Sequence, residues 1–131
     1  MVAMDGNTAT YMQYVYARTR SILRTGGVDE EALRASPPRV ILDTEEERSL
    51  ALQILRFDDA IMAAVADLKP NLITGFLWDL GKTFSTFYHK VRVLKAETDE
   101  LRQSRLLLCD LTGRVIRKGL ELLGIQTLER M

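Results

Sequence analysis

The sequence is poor in the residues that usually build metal sites and active sites. Its 131 residues include one cysteine, Cys109, and one histidine, His89. A single cysteine excludes an intramolecular disulfide, and one residue of each type excludes a zinc site made of several histidines and cysteines. The eight glycines form no phosphate-binding loop. We therefore expect no catalytic centre, metal or cofactor in this chain.

Long apolar segments and a net charge are also lacking. The apolar runs are too short to span a membrane, and the N-terminus has no signal-peptide pattern. The formal net charge is zero, which excludes a uniformly basic protein that coats nucleic acid. Hydrophobic residues make up 47% and charged residues 27% of the chain, which is typical of a folded globular protein. We expect one domain over residues 1–131, located in the cytoplasm.

The charges are unevenly distributed although they sum to zero. No acidic residue lies between Gly6 and Val28 or between Leu80 and Ala96. These two stretches contain Arg18, Arg20, Arg24, Lys82, Lys90, Arg92 and Lys95. A neutral protein of this kind can present basic surfaces to a polyanion.

Apolar residues recur with the period of a helix along most of the chain. Helices are predicted from about Thr8 to Thr25, from Asp29 to Ala35, from Thr44 onward as one long helix, from Pro70 to about His89, and from Thr98 to Leu123. Four main helices plus a short helix predict an all-α fold, a helical bundle.

Caps and periodicity give more detailed expectations. Thr44 and Glu47 have the spacing of a capping box. Gly119 would allow a close helix approach, and Arg20 is predicted to lie opposite the apolar face of the first helix. The predicted core positions include Leu50, Leu55, Val65, Leu108 and Leu122.

Aromatic and cationic side chains alternate at two helix margins. Tyr14 and Arg18 are four residues apart at the edge of the first apolar face, and Tyr88 lies at a similar edge before a basic connector. Aromatic rings and guanidinium groups stack on unpaired RNA bases. Alternatively, the tyrosines pack in the core and the arginines are solvated. On the helix that carries Tyr88, the face opposite the apolar one is predicted to carry Trp78, Lys82 and His89. An exposed tryptophan there suggests an interface.

Four segments together resemble the arginyl-tRNA synthetases. Residues 6–18, GNTATYMQYVYAR, resemble the family segment G-N-T-A-P-Y-x-Q-Y-A-Y-x-R, with Thr10 where the family often has proline. Residues 84–88, FSTFY, are similar to F-S-x-F-Y, and residues 104–108, SRLLL, to a small-R-L-x-L stretch. Residues 119–131, GLELLGIQTLERM, resemble the terminus G-L-x-L-L-G-I-x-T-x-E-R-M. The segments follow one another in the family's order.

The resemblance implies a C-terminal, all-helical anticodon-binding (DALR) domain of a class I aminoacyl-tRNA synthetase. It implies that Tyr14 and Arg18 contact the anticodon arm, that Tyr88 reads the loop, and that Met131 approaches it, with Tyr11 as a further candidate. The family's catalytic signatures are absent, so the chain is expected to be a fragment that works beside a catalytic domain using ATP and arginine. The expected partners are that domain and the anticodon stem-loop of arginine tRNA, with no membrane.

A helical protein-interaction bundle without RNA binding is the alternative. It would use the Trp78 face or the acidic middle of the chain, where carboxylates gather between Asp43 and Asp67.

Overall fold

Helices account for all the regular structure in the part of the chain that the computed structural model describes, residues 6–125 and 127–129. They are α1 (Gly6–Thr25), α2 (Glu30–Ala35), α3 (Glu45–Leu55), α4 (Phe57–Asp67), α5 (Asn71–Lys90) and α6 (Asp99–Leu122). The predicted all-α fold is confirmed. Within the same residues, no helix is both long and apolar enough to cross a bilayer.

Helices α2, α3 and α6 begin directly after the residues that were predicted to cap them. The Thr44 hydroxyl accepts a hydrogen bond from the backbone N–H of Glu47, and the Glu47 carboxylate accepts one from the backbone N–H of Thr44. Asp29 and Thr98 cap α2 and α6 with their side chains alone, which accept hydrogen bonds from backbone N–H groups of the first turn. Each such cap satisfies backbone donors that have no partner inside the helix.

The predicted long middle helix is wrong in one respect, because it is interrupted at Arg56. Helix α3 ends at Leu55 and α4 begins at Phe57. Leu55 and Val65, both predicted core residues, are 76% and 68% exposed. Only a narrow face of each helix packs on the bundle. Leu55 follows the partly buried Ile54 on α3, and Val65 follows the buried Ala64 on α4. One residue turns a side chain by about 100° around the helix axis, so both point away from the packed face.

The core lies between α1, α5 and α6, where the largest apolar side chains are buried. Leu77 of α5 packs directly on the backbone of α6, because a Cβ added at Gly119 would lie 2.7 Å from Leu77 Cδ2. The predicted close approach at Gly119 is therefore confirmed. Leu122 was predicted to face this core but is 50% exposed, whereas Ile116 and Leu120 on the same helix are fully buried.

Arg20 is a further correction, because it is buried rather than solvated. Its side chain is 2% exposed and donates from Nη1 to Asp110 Oδ1 at 2.9 Å and from Nη2 to the Asp110 main-chain oxygen at 3.0 Å. A Cβ added at Gly113 would lie 2.1 Å from Arg20 Nη2, so the glycine makes room for the guanidinium. This pair joins α1 to α6 inside the bundle.

Cys109 offers a direct test of this core. The thiol is fully buried, and that burial raises its pKa to about 12. Because the thiolate is the reactive form, the native protein should react with a disulfide reagent at about pH 8 only as fast as it unfolds. Denaturant should restore the rate of a free thiol. Immediate stoichiometric labelling of the folded protein would show that α6 is packed differently.

Candidate nucleic-acid interface

Three of the predicted site residues meet at one place on the surface. The Arg18 guanidinium carbon lies 4.7 Å from the centroid of the Tyr14 ring and 4.4 Å from the centroid of the Tyr88 ring. Tyr14 is 37% exposed, and the other two side chains are partly buried. We call these three residues the Arg18 cluster. The two cation–π contacts hold its members together while each stays accessible at the margin of the core.

Buried neighbours fix the rings of this cluster at the edge of the bundle. On α1, Val15 follows Tyr14 and is 3% exposed. On α5, Phe87 precedes Tyr88 and is fully buried, and the Phe84 ring centroid lies 6.2 Å from that of Tyr88. Because successive helical residues are turned by about 100°, burial of Val15 and Phe87 leaves Tyr14 and Tyr88 at the boundary between core and solvent.

A basic cleft of about 1070 Å³ opens beside the Arg18 cluster. Its walls come from residues 14–25 of α1 and from residues 88–95, the end of α5 and the connector to α6. The residues that line it include the cations Arg18, Arg24, Lys90, Arg92 and Lys95, and include no aspartate or glutamate. A concave surface lined by charges of one sign concentrates the opposite charge, so this cleft favours a polyanion.

Among the described residues, no carboxylate forms an ion pair with the cations of the basic cleft. Within residues 6–125 and 127–129, the salt bridges involve other arginines and leave these five side chains without a carboxylate inside 4.0 Å. Among the described residues, Arg24 donates to the main-chain oxygen of Glu129, at 3.3 Å. The charged groups are therefore available to phosphates, which arginine and lysine bind strongly.

Glu129, near the C-terminus, contacts α1, the helix that contributes one wall of the cleft. The Tyr16 hydroxyl donates to Glu129 Oε1 at 3.1 Å, and burial is the main cause that raises the pKa of Tyr16, so it remains a donor at neutral pH. The main-chain oxygen of Glu129 also accepts a hydrogen bond from Arg24, a residue of the cleft. Met131, the predicted site residue of the tail, lies outside the described residues.

Tyr11 belongs to a neighbouring group and not to the Arg18 cluster. Its hydroxyl lies 3.0 Å from Ser85 Oγ, and its ring centroid is 5.0 Å from that of Trp78. Lys82 Nζ lies 5.0 Å from the Tyr11 ring and 4.7 Å from the Trp78 ring. His89, predicted to share a face with Trp78, packs edge-on against Tyr88 with 5.6 Å between ring centroids.

The other cations of the cleft, Arg24, Lys90, Arg92 and Lys95, were predicted only as members of two basic stretches that could bind RNA, and none of them was predicted as an individual site residue. Their only signal was the lack of acids in the two basic stretches, which does not say that the stretches face each other.

The chemistry of the site is that of anion and base recognition. The described residues contain no group of three or more histidine, cysteine, aspartate or glutamate side chains that could hold a metal ion. The cleft instead presents aromatic rings, a guanidinium held against two of them, and cations that pair with no carboxylate of the described residues. Single-stranded nucleic acid is bound by this combination, in which bases stack on planar groups and cations hold the backbone.

Comparisons with known proteins also indicate nucleic-acid binding. The family model of the DALR anticodon binding domain matches residues 12–131. The chain is 45% identical over 131 residues to an arginine–tRNA ligase of Yersinia pseudotuberculosis serotype O:1b (strain IP 31758), covering 100% of this chain and 22% of that relative. Among solved structures, Thermus thermophilus arginyl-tRNA synthetase matches with a TM-score of 0.84 at 33% identity, over 98% of this chain and 22% of that one. Arginyl-tRNA synthetase from Plasmodium falciparum matches with a TM-score of 0.81 at 30% identity and the same coverage.

Proposed function

Because the chain belongs to the DALR anticodon binding domain family, we propose that its Arg18 cluster and basic cleft bind the anticodon stem-loop of arginine tRNAs. The observation that carries this proposal is the Arg18 guanidinium held against the Tyr14 and Tyr88 rings at the mouth of an acid-free cleft. Planar groups at the mouth suit unpaired bases, and the cations suit the phosphates that follow them. The family match gives no support to the alternative, a protein-interaction bundle without RNA binding.

The base to be recognised follows from the genetic code. All arginine codons have G at the middle position, so arginine tRNAs share cytosine at the middle of the anticodon. Cytosine offers an amino donor together with ring acceptors on its pairing edge. In this proposal Tyr88 and the C-terminal tail, including Met131, form the pocket for that base. Tyr14 and Arg18 hold the flanking backbone and a neighbouring base, and Tyr11 stays a more distant candidate contact.

The domain is proposed to work as part of a larger synthetase. The chain spans 22% of the length of the Yersinia and Thermus relatives. We propose that residues 1–131 form a single recognition domain that acts beside a catalytic domain, which binds ATP and arginine and attaches the amino acid to tRNA in the cytoplasm. In this proposal the chain selects the tRNA that is used in protein biosynthesis, and the catalytic domain carries out the chemical step.

Replacement of Tyr88 by alanine tests the proposed site. Loss of one stacked base should weaken binding of an arginine anticodon stem-loop by about 1–3 kcal/mol, or about 5- to 150-fold in Kd. Fluorescence anisotropy of an end-labelled RNA hairpin measures this directly. The same hairpin with its middle anticodon cytosine replaced by uracil should also bind the unmodified protein more weakly.

Tyr88→Phe is the matched control, because it keeps the ring and removes only the hydroxyl. It should retain most of the affinity, and thermal melting should show that both variants remain folded. If Tyr88→Ala bound the hairpin as tightly as the unmodified protein, Tyr88 would not be part of the site.

A further inference from the structure

A second group of aromatic and cationic side chains lies beside the Arg18 cluster. Trp78 is the only tryptophan of the chain and is 38% exposed. Its ring centroid lies 5.0 Å from that of Tyr11, at an interplanar angle of 52°, and 4.7 Å from Lys82 Nζ. We call Tyr11, Trp78 and Lys82 the Trp78 cluster. The tryptophan ring is held by these neighbours and still presents more than a third of its surface to solvent.

The Trp78 cluster continues into the Arg18 cluster along the seam between α1 and α5. Tyr11 precedes Tyr14 by three residues, and Ser85, the partner of the Tyr11 hydroxyl, precedes Tyr88 by three. Three residues advance a helix by about 4.5 Å. The ten residues from Trp78 to Tyr88 correspond to about 15 Å along α5. The two clusters thus follow each other along the same pair of helices, with Ser85 between them on α5.

Lys82 is available to an anion. Within the described residues it forms no salt bridge, and Asp79, the acid nearest to it in sequence, has no oxygen within 4.0 Å of its ammonium group. Its contacts are the two ring faces of the cluster. An exposed cation beside an exposed ring is the arrangement that single-stranded nucleic acid uses. The cores of protein–protein interfaces, in contrast, are depleted of lysine.

We propose that the Trp78 cluster is a second contact for the single-stranded RNA that binds at the Arg18 cluster. A base stacks on the exposed part of Trp78, and the adjoining phosphate contacts the Lys82 ammonium. At about 3.4 Å per stacked nucleotide, the distance along α5 corresponds to about four nucleotides. One hairpin loop with its adjoining strand therefore reaches both clusters. This inference rests on the function proposed above.

The sole tryptophan makes the contact directly observable. Unlabelled arginine anticodon stem-loop is titrated into the protein while Trp78 emission and its quenching by acrylamide are recorded, and anisotropy of labelled hairpin gives Kd in parallel. Emission should fall and acrylamide quenching should decrease, both saturating with the Kd from anisotropy. Trp78→Leu should raise that Kd by about 5- to 150-fold.

Lys82→Met should weaken binding and make the slope of log Kd against log salt shallower by about 0.7. Lys118→Met is the matched control, because it removes an exposed lysine of α6 that lines no part of the basic cleft, and it should leave Kd unchanged.

The outcomes separate this inference from the proposed function. If the hairpin binds by anisotropy while Trp78 emission and quenching stay constant, the second contact is wrong and the binding site at Tyr88 stands. If no hairpin binding is detected, both proposals fail. Should Trp78→Leu not fold, the titration of the unmodified protein decides alone, because it depends on no variant.

Discussion

Replacement of Arg20 by methionine should lower the free energy of unfolding by about 3–5 kcal/mol, the cost of removing one partner from a buried ion pair. Arg20 is 2% exposed and Asp110 is fully buried, with 2.9 Å between Arg20 Nη1 and Asp110 Oδ1. Without the guanidinium, the Asp110 carboxylate keeps Arg34 at 3.2 Å and Arg114 at 3.3 Å, but these two side chains are 38% and 41% exposed and screened by water. Those remaining contacts place the expected loss toward the lower end of the range. Urea unfolding followed by circular dichroism measures it.

The same substitution at an exposed arginine is the control. Arg117 pairs with Glu121 on the surface of α6, where the two side chains are 55% and 50% exposed. Arg117→Met should cost about 0.3–0.5 kcal/mol, as is typical of surface pairs one helical turn apart. Combining Arg20→Met with Asp110→Leu should recover part of the loss, because the buried carboxylate that lost its buried partner is then also gone. Equal losses for Arg20→Met and Arg117→Met would contradict the buried pair.

This ion pair also explains why the site is well positioned. Arg20 follows Arg18 by two residues on α1, so the two guanidinium groups point to different sides of the same helix. Arg20 donates hydrogen bonds to Asp110 of α6, while Arg18 contacts the Tyr88 ring of α5. Fixing α1 on α6 sets the rotation of the helix and therefore the place where Tyr14 and Arg18 reach the surface.

The local features of the fold were predictable from sequence, because their causes are local. The capping box at Thr44 and the glycine contact at Gly119 depend on residues close in sequence or on the size of one side chain. Arg20 was placed wrongly because its partner Asp110 is 90 residues away, and helical periodicity carries no information about a distant carboxylate. Leu55 was placed wrongly because periodicity gives the direction of a side chain and not whether another helix covers it.

The candidate site was predictable only in part for a related reason. The spacing of Tyr14 and Arg18 shows that they share a helix face, but that Tyr88 joins them depends on how α5 packs on α1. Family resemblance supplied that grouping. The sequence showed Arg92 only as part of a basic stretch and did not predict that it lines the cleft. Its position depends on the path of the connector after α5, which is set by tertiary contacts such as the hydrogen bond from Arg105 to the Arg92 main-chain oxygen.

Binding of the anticodon stem-loop should weaken steeply with salt, because five cations line the basic cleft. Each phosphate neutralised on a single strand contributes about −0.7 to the slope of log affinity against log salt. If all five cations engage phosphates, the slope is about −3.5, and affinity falls about 100-fold between about 50 and 200 mM salt. Anisotropy titrations at several salt concentrations give the slope.

The slope of log affinity against log salt also distinguishes the contribution of the cations from that of the aromatic rings. Arg92→Met removes a charge from the cleft and should make the slope shallower by about 0.7, whereas Arg117→Met, outside the cleft, should leave it unchanged. Tyr88→Ala should lower affinity at every salt concentration without changing the slope, because an uncharged ring releases no counterions. Tight binding with a slope near zero would mean that apolar contacts dominate, and the cleft would then not be the path of the RNA backbone.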